Sequence, residues 1–158
     1  MIKIDRKLLD RLTESAKNSE RKRMNYNFHP QLDDPIQRLL NALEPETYLP
    51  PHRHQDPDKE EVFLVLRGKL VLIEFDDDGS VLSHMIIEPQ NGTYGGEVAC
   101  GVWHTLISLE SGTVIYEVKK GPFAPISRDN FASWAPLDSS LKAKQYQEEL
   151  LKSIGILR

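Results

Sequence analysis

His52 and His54 stand one residue apart, Glu61 follows, and His104 comes much later in the segment GVWHT. Three imidazoles and one carboxylate are borderline ligands, suited to Fe(II), Mn(II), Zn(II), Ni(II) or Cu(II), and they leave coordination positions open for water or a substrate. On an extended chain, side chains two positions apart leave the same face, so the two histidines of H-x-H can approach one ion together. Glu61 opens the apolar run EVFLVLRG and adds an anionic oxygen, whereas its neighbour Glu60 would face the other way. The expected cofactor is one divalent transition metal ion, with Fe, Mn, Zn and Ni as alternatives.

The elements that must position these ligands read as strands. EVFLVLRG, KLVLIEF, VLSHMIIE and TVIYEVK are short runs rich in Val, Ile, Leu and aromatics, bounded by Gly, Asp, Asn and Pro. The DDDG stretch between Phe75 and Ser80 is a hairpin signal, because Asp tolerates and Gly favours positive φ. IQRLLNAL matches a helix or a strand, and its short length between Pro35 and EPET favours a strand. Several such strands at short spacing predict a sandwich or barrel. In EVFLVL both alternating sets are apolar, so the outer one needs a cover: a second sheet, a terminal segment or the partner subunit of a homodimer. Before the strands, Leu8, Leu9, Leu12 and Ala16 fall at helical spacing behind an N-cap, Asp5. MNYNFHP, if extended, puts Asn25, Asn27 and His29 on one face and Tyr26 and Phe28 on the other. After them comes a Pro-containing coil that Phe123, Phe131 and Trp134 are expected to anchor, then a helix from about Ser139 to Ile154.

A chain of 158 residues fits one domain with one core. The net charge of −4 gives no footprint for nucleic acid, and the short basic run Arg21, Lys22 and Arg23 is expected to be a solvated helix end. One cysteine, Cys100, leaves no intrachain disulfide, and it is expected as a small buried thiol. The N-terminus alternates charge with leucine where a secretory signal needs an unbroken apolar stretch, and no stretch reaches the roughly 20 apolar residues of a membrane span. A cytoplasmic protein that acts on a small molecule, without membrane or nucleic-acid partners, is the expectation.

The ligand spacing resembles the two cupin motifs. The first, G, five residues, H-x-H, three or four residues, E, six residues, G, is matched by His52, His54, Glu61 and Gly68, and the second by Gly101 and His104. The departures are a longer gap, QDPDKE, between His54 and Glu61, Ala99 in place of the motif's proline and Ser108 in place of its asparagine. Over most of its length, through NYNFH, DPIQRLL, PPHRH, EEVFLVLRG, GVWHT and SWAP, the chain resembles the WbuC-type cupin-fold metalloproteins, a bacterial family often encoded among O-antigen and other surface-polysaccharide genes. The resemblance implies an all-β, single-domain cupin, a double-stranded β-helix or jelly-roll barrel with N- and C-terminal helices. Residues 1–34 would pack on a barrel of residues 35–120, and residues 121–158 would close it.

The resemblance also makes Asn25, Asn27 and His29 a candidate polar wall at the metal. Arg38 is a further candidate for substrate binding, and His29, Tyr94 and Glu97 are candidate acids or bases. Arg53 points away from the metal and Trp103 toward the core. Three functional readings follow. One is an isomerase or epimerase acting on a carbohydrate or sugar-nucleotide-related substrate in lipopolysaccharide or O-antigen biosynthesis. The others are an Fe(II)-dependent dioxygenase and a non-catalytic module in which the metal organises a ligand pocket.

Overall fold

The Asp5 carboxylate accepts the Leu8 amide at 3.0 Å and starts α1 (Arg6–Asn18), whose buried face is Leu8, Leu9, Leu12, Thr13 and Ala16. The computed structural model describes residues 1–138 and 140–157. Ser139, where the last helix is expected to begin, lies outside the described residues. Eight strands follow α1 in chain order: β1 (Arg23–Asn27), β2 (Ile36–Leu43), β3 (Glu61–Arg67), β4 (Leu70–Phe75), β5 (Val81–Ile87), β6 (Gly95–Val98), β7 (Trp103–Ser108) and β8 (Thr113–Lys120). They form an antiparallel five-stranded sheet in the order β1-β2-β8-β3-β6, facing a three-stranded sheet in the order β5-β4-β7. The core between the sheets is built on Leu43, Phe63, Val65, Leu72, Leu106 and Ile115.

Each sheet carries a helix on its outer face. Helix α1 packs on Leu40, Ala42 and Val114 of the larger sheet. Strand β2 is thus buried on both sides, which is why its sequence shows no clean alternation. The second helix, α2 (Leu141–Ser153), is capped by the Ser140 hydroxyl, which accepts the Ala143 amide at 3.4 Å. Its Leu150 and Leu151 pack on Val71, Ile73, Phe75 and Ile107 of the smaller sheet. Among the described residues, no helix is long and apolar enough to cross a membrane.

Two turns decide where site residues point. Gly68, at φ +85°, joins β3 to β4, and a Cβ there would collide with the backbone and side chain of Thr113. Between β6 and β7 the Val102 amide bonds to the Ala99 carbonyl, with Gly101 at φ +75°. Cys100 sits in that turn and is exposed, contrary to the expected burial, because the apex of a tight surface turn points into solvent. The DDDG hairpin forms between β4 and β5, with the Gly79 amide on the Asp76 carbonyl at 3.0 Å.

The basic run Arg21, Lys22 and Arg23 is not the helix end expected of it. Helix α1 stops at Asn18, Lys22 turns the chain at φ +54°, and Arg23 opens β1 half-buried. Of the three aromatics expected to anchor the C-terminal coil, Trp134 packs on Phe75, with ring centres 5.0 Å apart. Phe131 forms an isolated bridge with His52, while Phe123 stays 47% exposed.

Candidate metal centre

The segment carrying H-x-H is extended and pinned on both sides. His52 and His104 exchange both backbone hydrogen bonds, at 3.0 and 2.9 Å, so the first motif is laid directly along the start of β7. Arg53 donates its amide to the Asn130 carbonyl at 2.9 Å, and His54 accepts the Gly101 amide at 3.1 Å. This geometry turns His52 and His54 to one side. Arg53 goes to the other, its guanidinium 4.3 Å over the ring of Trp103 and 4.0 Å from Asp77. Trp103 is half-buried beneath it and donates its indole N–H to Asp77 at 3.0 Å.

The long gap before Glu61 is absorbed by an exposed loop tied at both ends. Asn130 donates to the Gln55 carbonyl at 2.7 Å, and the buried Lys59 ammonium reaches the carbonyls of Lys120 and Pro122. Glu60 is exposed and Glu61 buried, so the strand's alternation selects Glu61 as the inward donor.

The potential ligand atoms of His52, His54, Glu61 and His104 lie within 4.8 Å of one another. His54 Nε2 is 3.1 Å from Glu61 Oε1, and His104 Nε2 is 3.0 Å from Glu61 Oε2. Two ligand atoms each about 2.1 Å from one ion, at right angles, stand about 3 Å apart. The proton inventory points the same way. His104 Nδ1 donates to the Val102 carbonyl at 2.9 Å and His52 Nδ1 to the Pro50 carbonyl at 3.0 Å. In the neutral rings, both Nε2 atoms then carry lone pairs, and that of His104 faces a carboxylate oxygen. His54 Nε2 is buried and, although 3.1 Å from Glu61 Oε1, completes no hydrogen bond among the described residues. A cation among these atoms satisfies every one of them, so the residues present fit a bound metal ion.

Electrostatics holds the set in its ligating form. Burial, then the neighbouring His104, pushes His52 down to about 3, so its ring is neutral near pH 7. Burial alone would raise Glu61, but its contacts with His104, His54 and Lys119 outweigh that and hold its carboxyl well below the usual range. Lys119 is the Cα partner of Glu61 across β3 and β8, and its ammonium bridges Glu61 Oε1 at 3.1 Å and Glu117 Oε1 at 3.0 Å. Burial opposes the charge on Lys119, yet the two carboxylates raise its pKa overall. Sequence reasoning passed over this lysine. The available signal was the alternation in TVIYEVKK, which puts Glu117 and Lys119 on the inward face with Ile115.

A cavity of about 420 Å³ opens over the cluster, and His52, Glu61 and His104 form part of its lining. Asn25, Asn27 and His29 line it too, from β1 and the residues after it. His29 Nδ1 lies 3.0 Å from both the amide and the carbonyl of Arg38, so the ring is held by that backbone in either neutral tautomer. Arg38 itself lies on the other face of β2, with its Nε on the Ile36 carbonyl, and does not line the cavity. Tyr94 is 64% exposed, Glu97 sits opposite outward-facing Val62, and neither lines the cavity. Arg21, Arg23, Asn41, Phe123 and Phe131 line it without having been singled out as cavity residues. A second groove, about 320 Å³ and bordered by Tyr48 and Gln147, includes none of the four ligands.

No curated protein sequence matches the chain. Solved structures do. KdgF from Halomonas sp. superposes with a TM-score of 0.52 at 10% identity, covering 68% of this chain and 85% of that one. TT1209 from Thermus thermophilus gives 0.52 at 19% identity, with 76% and 97% covered. The capsular polysaccharide assembling protein CapF from Staphylococcus aureus gives 0.55 at 19% identity over 68% of this chain, but the match spans only 28% of CapF. The fold is therefore the cupin two-sheet sandwich with a helix at each end. Residues 4–87, more than half of the chain, match the family model described as Domain of unknown function (DUF6016), and the chain belongs to that family.

Proposed function

We propose that the chain is a metal-dependent cupin enzyme, of the WbuC type, that isomerises or epimerises a carbohydrate or sugar-nucleotide-related small molecule in surface-polysaccharide biosynthesis. The observation that carries this reading is the convergence of His52, His54, Glu61 and His104 on one point at the floor of a cavity of about 420 Å³. A divalent ion held there supplies Lewis acidity to a hydroxyl or carbonyl oxygen and so acidifies the neighbouring position. The chain's own residues do the rest. His104, His54 and Lys119 hold Glu61 in its ionised form, Asn25 and Asn27 offer amides to hydroxyl groups, and His29, anchored through Nδ1 on the Arg38 backbone, adds an imidazole to the cavity lining. The likeness to a capsular polysaccharide assembling protein accords with a carbohydrate substrate.

The test is elemental analysis of protein purified without chelators, followed by sugar-nucleotide isomerisation assays in air and under nitrogen. Zinc or manganese, with turnover unaffected by oxygen removal, is the expected result. Iron with oxygen-dependent turnover would transfer the site to dioxygenase chemistry, which the same ligand set supports. A protein that carries metal but converts no substrate would be a binding module. A wild-type chain with no transition metal sinks the reading.

We further propose a homodimer. Helix α1 covers β2 and β8 but leaves Leu64 and Leu66 of β3 43% and 40% exposed on the outer face. Light scattering should give twice the 18.1 kDa chain mass, and Leu64→Glu with Leu66→Glu should give monomers. A monomeric wild type would refute it.

A further inference from the structure

The cavity has a second end that the metal cluster does not use. Cavity-facing residues of β2 are Gln37, Leu39 and Asn41, and the register sets Gln37 beside Lys119 at the metal end and Asn41 between Asn25 and Ile115. Four residues of strand separate these ends, about 13 Å. Asn41 is 7% exposed, and its Oδ1 is buried with no hydrogen-bond partner among the described residues. Arg23, on the same cavity-facing side of β1, is half-buried, and its guanidinium makes no hydrogen bond or ion pair among the described residues. Burial and the adjacent Arg21 both disfavour its charge, and the carboxylate that favours it, Glu117, is already held by Lys119 at 3.0 Å.

Charge in the cavity is therefore unbalanced in one direction. Arg21, Arg23 and Lys119 face two carboxylates, Glu61 and Glu117, and Lys119 engages both of those. A divalent ion adds to the excess, inside a chain whose net charge is −4. An unpaired guanidinium and an unpaired buried acceptor each carry a desolvation cost that a ligand of matching chemistry removes. The fork of Arg23 matches a carboxylate or phosphate, and Asn41 Oδ1 needs a donor such as a hydroxyl. Phe123 and Phe131 give the same cavity apolar surface.

We propose that Arg23, with Arg21, Asn25 and Asn41, forms an anion subsite, and that the ligand is a hydroxylated small molecule whose carboxylate or phosphate lies at the end of the cavity away from the metal ligands. This rests on the reading of His52, His54, Glu61 and His104 as the metal-binding end.

The test titrates zinc-loaded and metal-free wild type with glucose, glucuronate and glucose 1-phosphate, following the Arg23 Nε–H and Asn41 side-chain amide signals by nuclear magnetic resonance. At least one acid should bind about tenfold or more tighter than glucose and shift both signals. Whichever acid does so identifies carboxylate or phosphate as the recognised group. Arg23→Gln should erase the preference while keeping the wild-type metal content and melting temperature. Equal affinity for acid and neutral sugar, no binding of either acid, or an undiminished preference in Arg23→Gln overturns the proposal. The two readings fail separately. If His104→Ala loses metal but keeps the Arg23 response, both stand. If wild type binds no zinc yet Arg23 responds to acid, the subsite stands and the metal reading falls.

Discussion

His104→Ala is expected to leave purification with less than about a tenth of the wild-type transition-metal content, its affinity lowered by at least about 100-fold. The ring it removes is 2% exposed, touches Glu61 at 3.0 Å and has its Nδ1 proton committed to Val102. The fold should survive, because the backbone exchange with His52 does not involve the side chain. Two measurements separate ligand loss from unfolding. Elemental analysis reads the metal, and thermal melts read the stabilisation that metal adds, about 2.7 kcal/mol at a hundredfold excess over Kd for wild type and near zero for the variant. Equal metal content in the two proteins would remove His104 from the ligand set.

Lys119→Met should destabilise the metal-free protein by about 3 kcal/mol, a fall of roughly 6–12 °C in Tm. The ammonium sits between Glu61 and Glu117, whose side chains are only 3% and 9% exposed, and methionine fills its volume without its charge. Two carboxylates would then share one end of the cavity without their common counter-ion, and breaking a buried ion pair from one side costs far more than the pair's net worth. Added metal should recover part of the loss, since a divalent ion takes over the charge on Glu61. An unchanged melting temperature in the absence of metal would show that the ion triad contributes nothing to stability.

These two residues also mark what a sequence makes visible. His104 could be read in advance because residue type and glycine spacing carry the information, and neither depends on what lies across the fold. The cupin sandwich was readable for a related reason: short β-branched runs and turn residues repeat along the chain, and the DDDG stretch sits where the hairpin forms. Lys119 matters through its register with Glu61, 58 residues away in the chain, and pairing across strands is absent from local patterns. Arg23 was misread as part of a helix end because one positive φ, at Lys22, redirects the chain, and nothing about a lysine announces that conformation. Cys100 went wrong for the opposite reason. Its usual preference for burial is real, but the turn at Gly101 overrides it. Strand β2 was ambiguous because α1 buries the face that would otherwise be polar.

The backbone exchange between His52 and His104 ties a segment without regular structure to the three-stranded sheet, while Glu61 belongs to the five-stranded one. An ion shared by these residues would therefore be a rivet through both layers of the sandwich. Amide hydrogens at the starts of β3 and β7 should exchange more slowly once the rivet is in place, and those of α1, which packs on the outer face, should hardly notice it.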